Sequence, residues 1–413
     1  MKRRLTPQLA LLLLLTLLLP AGIACAEETT DSTFTIYYED TNTAIMEDVL
    51  SLYFNASSET HVTLKAVSHD ALYDMLENGT EGDLFLIQDN KVDLPRLAKE
   101  GKIAPLTSET LAAQAAKLYA PFQQAVMQDG TLYAYPAQLL PEIWTVRTDL
   151  LTLYSGYLGE NVPTTMSEYL TQMARWYDSG ATVSGEYSFT TVNTPDTLLE
   201  HTVTQLIMAY LQEYYTGNQY RDFSVPAFAD TARQLSFLVT AQRTMDTAWN
   251  QNAWGDKTAS LYSVTGFTPI TMPLDENEQY MLTPSFDADS TPAINAFLNV
   301  LVVRNGSTYT AQAEQFIEVY SKYVMENKVY AYELYENTAG LADFGLTEEQ
   351  LTAYQALLPH FDLHSNHMIA TMFFGEEDAA DIVTLWLNGN TSAEDALTRL
   401  DTMQQEAALV LAK

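Results

Sequence analysis

Residues 82–90 read Gly-Asp-Leu-Phe-Leu-Ile-Gln-Asp-Asn. Leu84 to Ile87 is an unbroken apolar run, which is the pattern of a strand covered on both faces rather than one half open to water. Working outward, His61-Val62-Thr63-Leu64-Lys65-Ala66-Val67 and Phe34-Thr35-Ile36-Tyr37-Tyr38 are two further runs rich in β-branched and aromatic residues. Helical patterns from about Thr43 to Tyr53 and from Asp70 to Asn78, the latter closed by Gly79, separate the three. The order β-α-β-α-β predicts a parallel sheet with helices on its faces, because parallel neighbours need a crossover connection. Ligands of such sheets sit at the carboxyl ends of the strands. Those ends are Tyr38-Glu39-Asp40 and Gln88-Asp89-Asn90, which makes Tyr38, Glu39, Asp40 and Asp89 the first candidate binding residues. Asp89 has two readings: a carboxylate accepting hydrogen bonds from a ligand, or a cap on the following turn.

Further along, Tyr133-Ala134-Tyr135-Pro136 opens an extended stretch that runs through Arg147. Pro136 and Pro141 carry no N–H, so this stretch is predicted to cross between two lobes rather than to be a central strand. Residues 165–250 are mostly helical in pattern, with a turn-rich break at Ser179–Asn193. Extended structure returns near Thr258–Met272 and Ala293–Val303. The last hundred residues are helical, with turns at Asn305-Gly306 and Asn388-Gly389-Asn390. No repeat of fixed period and no low-complexity tract occurs.

The 413 residues hold 20 basic and 53 acidic side chains, a formal net charge of −33. Nucleic acid is excluded as a partner, since its phosphates would be repelled. A neutral or cationic ligand fits this balance better than an acidic one. The 25 Tyr, 16 Phe and 5 Trp suit either a dense core or stacking surfaces. The chain is long enough for two substantial cores, and its single cysteine rules out an internal disulfide.

That cysteine, Cys25, follows a basic start (Lys2, Arg3, Arg4), an apolar run from Leu9 to Leu19 and small residues: the three-part layout of an export signal. Two readings stay open. Gly22-Ile23-Ala24-Cys25 is a lipid-attachment site with Gly where Leu is usual, making Cys25 the anchor. Ala24-Cys25-Ala26 is a small-x-small site at which cleavage frees a soluble protein. The expectation is a signal with its lipid site at 1–25, a tether at 26–33, and export to the outer face of the cell membrane, held there by the N-terminal lipid only.

Catalytic patterns are scarce. There is no Gly-x-Ser-x-Gly elbow, no His-Glu-x-x-His and no Gly-rich phosphate loop. His360, His364 and His367 have the spacing of one helical turn, but Pro359 and the polar residues between them predict a loop and no metal site. His69-Asp70 are chain neighbours that do not face each other on a helix. The carboxylate pairs Glu39-Asp40 and Glu376-Glu377 keep a secreted glycoside hydrolase open as an alternative.

Four blocks in this order resemble the extracellular solute-binding proteins of ABC importers, of the maltose/oligosaccharide-binding type. They are FTIYYED (34–40); GDLFLIQDN (82–90) with LAKEGKIAPLTSE (97–109); DGTLYAYPAQLLPEIWTVRTDLL (129–151) with VPTTMSEYLTQMARW (162–176); and WLNGNTSAEDALTRLD (386–401). The resemblance implies an α/β, two-lobe, periplasmic-binding-protein-like fold of type II with a hinge. Lobe 1 is expected at 34–138 plus about 270–328, and lobe 2 at 139–269 plus about 329–413. It further implies a monomeric, non-enzymatic receptor without cofactor, whose ligand is a small solute, a sugar or oligosaccharide being favoured, and whose partners are ABC permease subunits. Its departures are Leu139-Leu140, where sugar binders of this type often place an acidic residue, and DKTASLYSVTGF (256–267), which leaves Phe267 nearest the family's ligand-facing Trp. The sites so implied are Tyr38, Glu39, Asp40 and Asp89 on the first lobe, Gln138 at the hinge, and Tyr262, Phe267, Phe373 and Phe374 on the second. A degenerate form of the fold, used as a sensor or scaffold, is the other alternative.

Overall fold

The computed structural model describes residues 33–39, 43–56, 61–178, 187–191, 195–215, 222–243, 259–266, 274–290, 292–326, 348–363, 366–373 and 377–412. Cys25, its apolar leader and the tether lie outside these residues. The strands are β1 (Phe34–Glu39), β2 (Val62–Val67), β3 (Leu84–Gln88), β4 (Met127–Gln128), β5 (Thr131–Leu132), β6 (Ala134–Arg147), β7 (Tyr187–Thr190), β8 (Ala259–Gly266), β9 (Glu278–Met281), β10 (Ile294–Val303) and β11 (Phe361–Asp362). Nine of them form one sheet along the path β2-β1-β3-β10-β6-β8-β7, with β11 added to β10 and β9 to β6; β4 and β5 make a small hairpin apart.

The expected parallel unit is present: β1 pairs parallel with both β2 and β3. Leu84 to Ile87 are all buried, as an unbroken apolar run requires. Against β3 lies β10, antiparallel, with all ten of its residues buried. Asp83 ties this end of the sheet together: its carboxylate accepts the Thr35 N–H at 2.8 Å and the Ser307 hydroxyl at 2.7 Å.

The reading of Pro136 and Pro141 needs correction. β6 crosses, as expected, but it is also a central strand, flanked by β10 and then by β8 and β9. Both prolines stand where the ladder is already interrupted. Pro136 is opposite Val300, at the register shift between Asn299 and Val300. Pro141 is opposite Ala296, one residue before the pairing with β8 starts at Glu142. A missing donor costs little where no regular bond is due.

β6 also divides the interior. Buried apolar residues up to Ile143, together with those of 294–363, form one core. A second begins at Trp144 and takes in Phe189, Tyr262, Met281 and residues up to Ala407. Leu140 and Phe297 are buried yet belong to neither. The second core is helical, and its helix Met166–Asp178 starts on a capping box: the Glu168 N–H donates to Thr165 Oγ1 at 3.2 Å, while Glu168 Oε2 accepts the Thr165 N–H at 3.3 Å. The turn-rich break at Ser179–Asn193 contains a strand that local pattern did not announce, β7, supplied by parallel pairing with β8. Among the described residues no helix is long and apolar enough to cross a membrane.

Candidate ligand cleft

β6 and β10 run side by side from the first core to the boundary with the second. Asn299 faces Gln138, Phe297 faces Leu140, and Ala296 faces Pro141. Side chains alternate along a strand, so Gln138, Leu140 and Glu142 share one face with Asn299, Phe297 and Asn295. That face is polar, then apolar, then polar. At the first step the Asn299 amide donates to Gln138 Oε1 at 3.0 Å. At the last, Asn295 Nδ2 donates to Glu142 Oε2 at 3.1 Å.

The long helix Pro195–Tyr215 covers the far end. Its positions 201, 205, 208 and 212 recur at helical spacing on one side. Gln205 Nε2 donates to Glu142 Oε1 at 2.6 Å, and the Gln212 amide donates to Asn295 Oδ1. Other positions of the helix, among them Leu199, Val203, Leu206 and Tyr210, pack into the second core. Glu142 thus accepts from two neutral amides. Burial pushes its carboxyl above the ordinary value, and the two N–H donors pull it partly back. Burial lowers the pKa of His201 on the same helix, which favours the uncharged ring.

On the first-core side, Asn299 is also in register with Gln88 of β3, so Gln88, Asn299 and Gln138 lie in a row across three strands. The Gln88 N–H donates to the Tyr73 hydroxyl at 3.0 Å. Glu39, at the end of β1, pairs with Lys91 at 3.5 Å. The Asp89 N–H donates to the Leu298 carbonyl at 2.9 Å, and Asp89 Oδ1 accepts the Leu298 N–H at 2.7 Å. The carboxylate stands where the next backbone carbonyl of the ladder would be.

Of the residues expected from sequence, Glu39 and Asp89 stand at the carboxyl ends of β1 and β3, while Gln138 lies on β6 in the row with Asn299 and Gln88. Tyr38 is buried in the first core. Tyr262 is fully buried in the second, its ring edge-on to Tyr169 and Phe189 and its hydroxyl donating to Gln172 Oε1 at 2.6 Å. Packing occupies both rings. Phe373 is half-buried against the second core at the end of the helix Asn366–Phe373. Asp40, Phe267 and Phe374 lie outside the described residues. Phe267 directly follows Gly266, which is in register with Glu142.

Sequence reading missed Glu142, Asn295, Asn299, Gln205 and Gln212. Signals existed: Asn295 and Asn299 stand four apart in an otherwise apolar strand, the spacing of one sheet face. Gln205 and Gln212 stand seven apart in a mostly apolar helix.

Amides that both donate and accept, an apolar step between them and a partly buried carboxylate suit the recognition of a polar, mostly uncharged ligand. No group of three His, Cys, Asp or Glu able to hold a metal occurs among the described residues. His360 Nδ1 lies 2.9 Å from the Pro292 carbonyl in a short 3-10 turn, and His367 falls in the helix after it; His364 lies outside the described residues. Of the acidic pairs, Glu39 is bound to Lys91 and Glu377 to Arg399, while Asp40 and Glu376 lie outside the described residues. A separate groove of about 460 Å³ on the second-core side is lined by Pro163, Thr164, Ser167, Gln172 and Arg175 among others.

No protein-family profile and no curated protein matches the chain. Solved structures do. The GacH receptor of Streptomyces glaucescens, determined unliganded and with acarbose and an acarbose homologue, matches with a TM-score of 0.57 at 14% identity over 91% of this chain and 98% of its own. An ABC substrate-binding protein of Listeria monocytogenes in complex with cycloalternan matches at 0.58 and 13%, over 91% and 98%. An ABC transporter solute-binding protein of Agrobacterium vitis with bound D-mannitol matches at 0.54 and 16%, over 91% and 97%. The fold is that of the two-lobe solute-binding proteins, and β6 passes from one of the two cores to the other with β10 beside it.

Proposed function

We propose that this protein is a non-enzymatic receptor that captures a sugar or oligosaccharide between its lobes and presents it to the membrane subunits of an ABC importer. The observation that carries this reading is the polar–apolar–polar face of β6 and β10 at the lobe boundary, with Gln138 and Asn299 at one end and Glu142 and Asn295 at the other. Sugars match it, offering hydroxyls that donate and accept and C–H faces that rest on apolar side chains. Glu39 and Asp89 form the first-lobe rim; Asp40, Phe267, Phe373 and Phe374 are the flanking positions to which contacts are assigned. The lobes hinge where β6 passes from Ile143 to Trp144, and closure is a population shift driven by contacts made only when both lobes meet the ligand.

A thermal-shift screen of mono- and oligosaccharides tests this. A true ligand stabilises by about 2.7 kcal/mol at a hundredfold excess over its dissociation constant, and it is recovered unchanged after long incubation. Stabilisation by no sugar in the screen, or release of reducing ends from one, sinks the reading.

We also assign the chain to the outer face of the cell membrane, tethered by a lipid on Cys25. A receptor that serves a membrane transporter gains from being held beside it. A Cys25→Ala variant is expected in the medium while the parent protein sediments with membranes; parent protein found wholly in the medium rejects the tether.

A further inference from the structure

The corner where the long helix meets β6 is rich in hydrogen-bond acceptors. Glu142 has a carboxylate with four lone-pair positions, and the structure fills two of them, from Gln205 and Asn295. Gln205 is 3% exposed; its Nε2 is used on Glu142, and its Oε1 is buried with no hydrogen-bond partner. One turn earlier on the same side of the helix, His201 Nε2 is likewise buried and unpartnered. Among the described residues no basic side chain pairs with Glu142. Such atoms are rarely left unsatisfied, because a buried polar group without a partner loses its hydration with nothing in return, and a charged one loses more.

We propose that Glu142, Gln205 and His201 form a subsite for a protonated amine, so that the ligand is an amino-bearing sugar rather than a wholly neutral one. This rests on the receptor reading above and sharpens its substrate class. An ammonium group carries three donors and a positive charge. Two N–H groups meet the open positions on Glu142 and Gln205 Oε1, and the charge offsets the partly buried carboxylate, which two amide donors do only in part. The third reaches His201 Nε2 in the tautomer that leaves this nitrogen as an acceptor. A neutral hydroxyl has one donor for these acceptors. The place is also right: Asn295 of the first lobe and Gln212 of the second join here, so the corner lies where the lobes meet. The charge of the whole chain, 53 acidic against 20 basic residues, raises the local concentration of cations and not of anions.

The test is calorimetric titration at neutral pH with three probes of equal length: a glucosamine oligosaccharide, its N-acetylated counterpart and a malto-oligosaccharide. Wild-type protein is expected to bind the glucosamine oligosaccharide at least tenfold more tightly than the other two. Glu142→Gln, which keeps the volume but removes the charge and gives the Gln205 amide an NH2 to meet by turning its oxygen toward it, is expected to erase that preference. Gln205→Met, which removes both the unpartnered oxygen and the Nε2 donor to Glu142 from an equally long side chain, is expected to reduce it severalfold and serves if Glu142→Gln fails to fold. Equal or weaker binding of the amine probe, or a preference untouched by both variants, overturns the subsite. So does a protein that ignores all three probes yet is stabilised by another sugar in the wider screen. Silence across that whole screen, or release of reducing ends from a sugar in it, removes the receptor reading as well.

Discussion

Replacing Trp144 by alanine is expected to destabilise the protein by about 3–5 kcal/mol, the range for truncating a large aromatic side chain in a well-packed core. Trp144 is 1% exposed. It is the first residue of β6 to enter the second core, where it meets Tyr169 edge-on at 5.2 Å. Across the sheet it is in register with Val264 of β8 and with Met281 of β9. Its indole N–H is buried without a partner, so truncation removes packing and breaks no hydrogen bond of that group. The loss is large against a total stability of about 5–15 kcal/mol. Urea unfolding followed by circular dichroism measures it. Trp144→Phe, which retains a ring, is expected to lose less than half as much. A loss below about 1 kcal/mol for Trp144→Ala would mean that the second core is not organised around this residue. Because the strand passes through both cores, the surviving folded fraction is also expected to bind ligand more weakly.

The first three strands were legible because each is a compact apolar or β-branched run, and their order dictates parallel pairing without any long-range information. β10 was legible for the same reason. β7 was not, since Tyr187–Thr190 is short, lies in turn-rich chain and becomes a strand only by pairing with β8, about seventy residues away. Pro136 and Pro141 misled in one respect: they argue correctly against regular pairing at their own positions, but local sequence does not show that the ladder changes partner there.

The candidate site divides in the same way. Glu39 and Asp89 were placed at the sheet edge because a residue that follows a buried strand must emerge at the end of the sheet, whereas Gln138 was placed only through the resemblance. What each carboxylate then does depends on a distant residue: Leu298 for Asp89 and Lys91 for Glu39. Tyr38 and Tyr262 illustrate the bias of aromatic side chains toward packing, which their β-strand positions favour. Glu142 was not legible because the resemblance points to Leu139-Leu140 as the place for an acid. The acid stands two residues after Leu140, on the same face of the strand, and its meaning emerges only where a helix some sixty residues later delivers Gln205. Asn295 and Gln212 have the same character: each is an ordinary polar residue until the other arrives.

Gly82 leads into the stretch that decides the fold, and Gly82→Ala is expected to cost at least about 2 kcal/mol. Two effects act together. Its φ of +88° is one that side-chain-bearing residues rarely adopt, and such strain costs on the order of 1–3 kcal/mol. In addition, a Cβ at this position would stand 2.6 Å from Tyr37 Cδ2 and 2.8 Å from Phe85 Cζ. Neither ring can give way easily. They stack at 5.5 Å in the first core, and the Tyr37 hydroxyl accepts from Lys65 Nζ at 3.1 Å while the same ammonium lies over its ring. Forcing atoms into such a contact costs about 1–3 kcal/mol more. Gly130 provides the control: its φ is +78°, in the turn joining β4 and β5, and a Cβ there meets nothing within 4 Å. Gly130→Ala therefore carries the backbone strain without the clash. Urea midpoints for the two variants, measured side by side, are expected to show Gly82→Ala as the more damaging by at least about 1 kcal/mol. Equal losses would assign the whole effect to backbone strain and remove the role given to the Tyr37–Phe85 stack. Ligand affinity of the folded Gly82→Ala protein is expected to be unchanged, since Gly82 stands before the amino end of β3 and the candidate cleft lies beyond its carboxyl end.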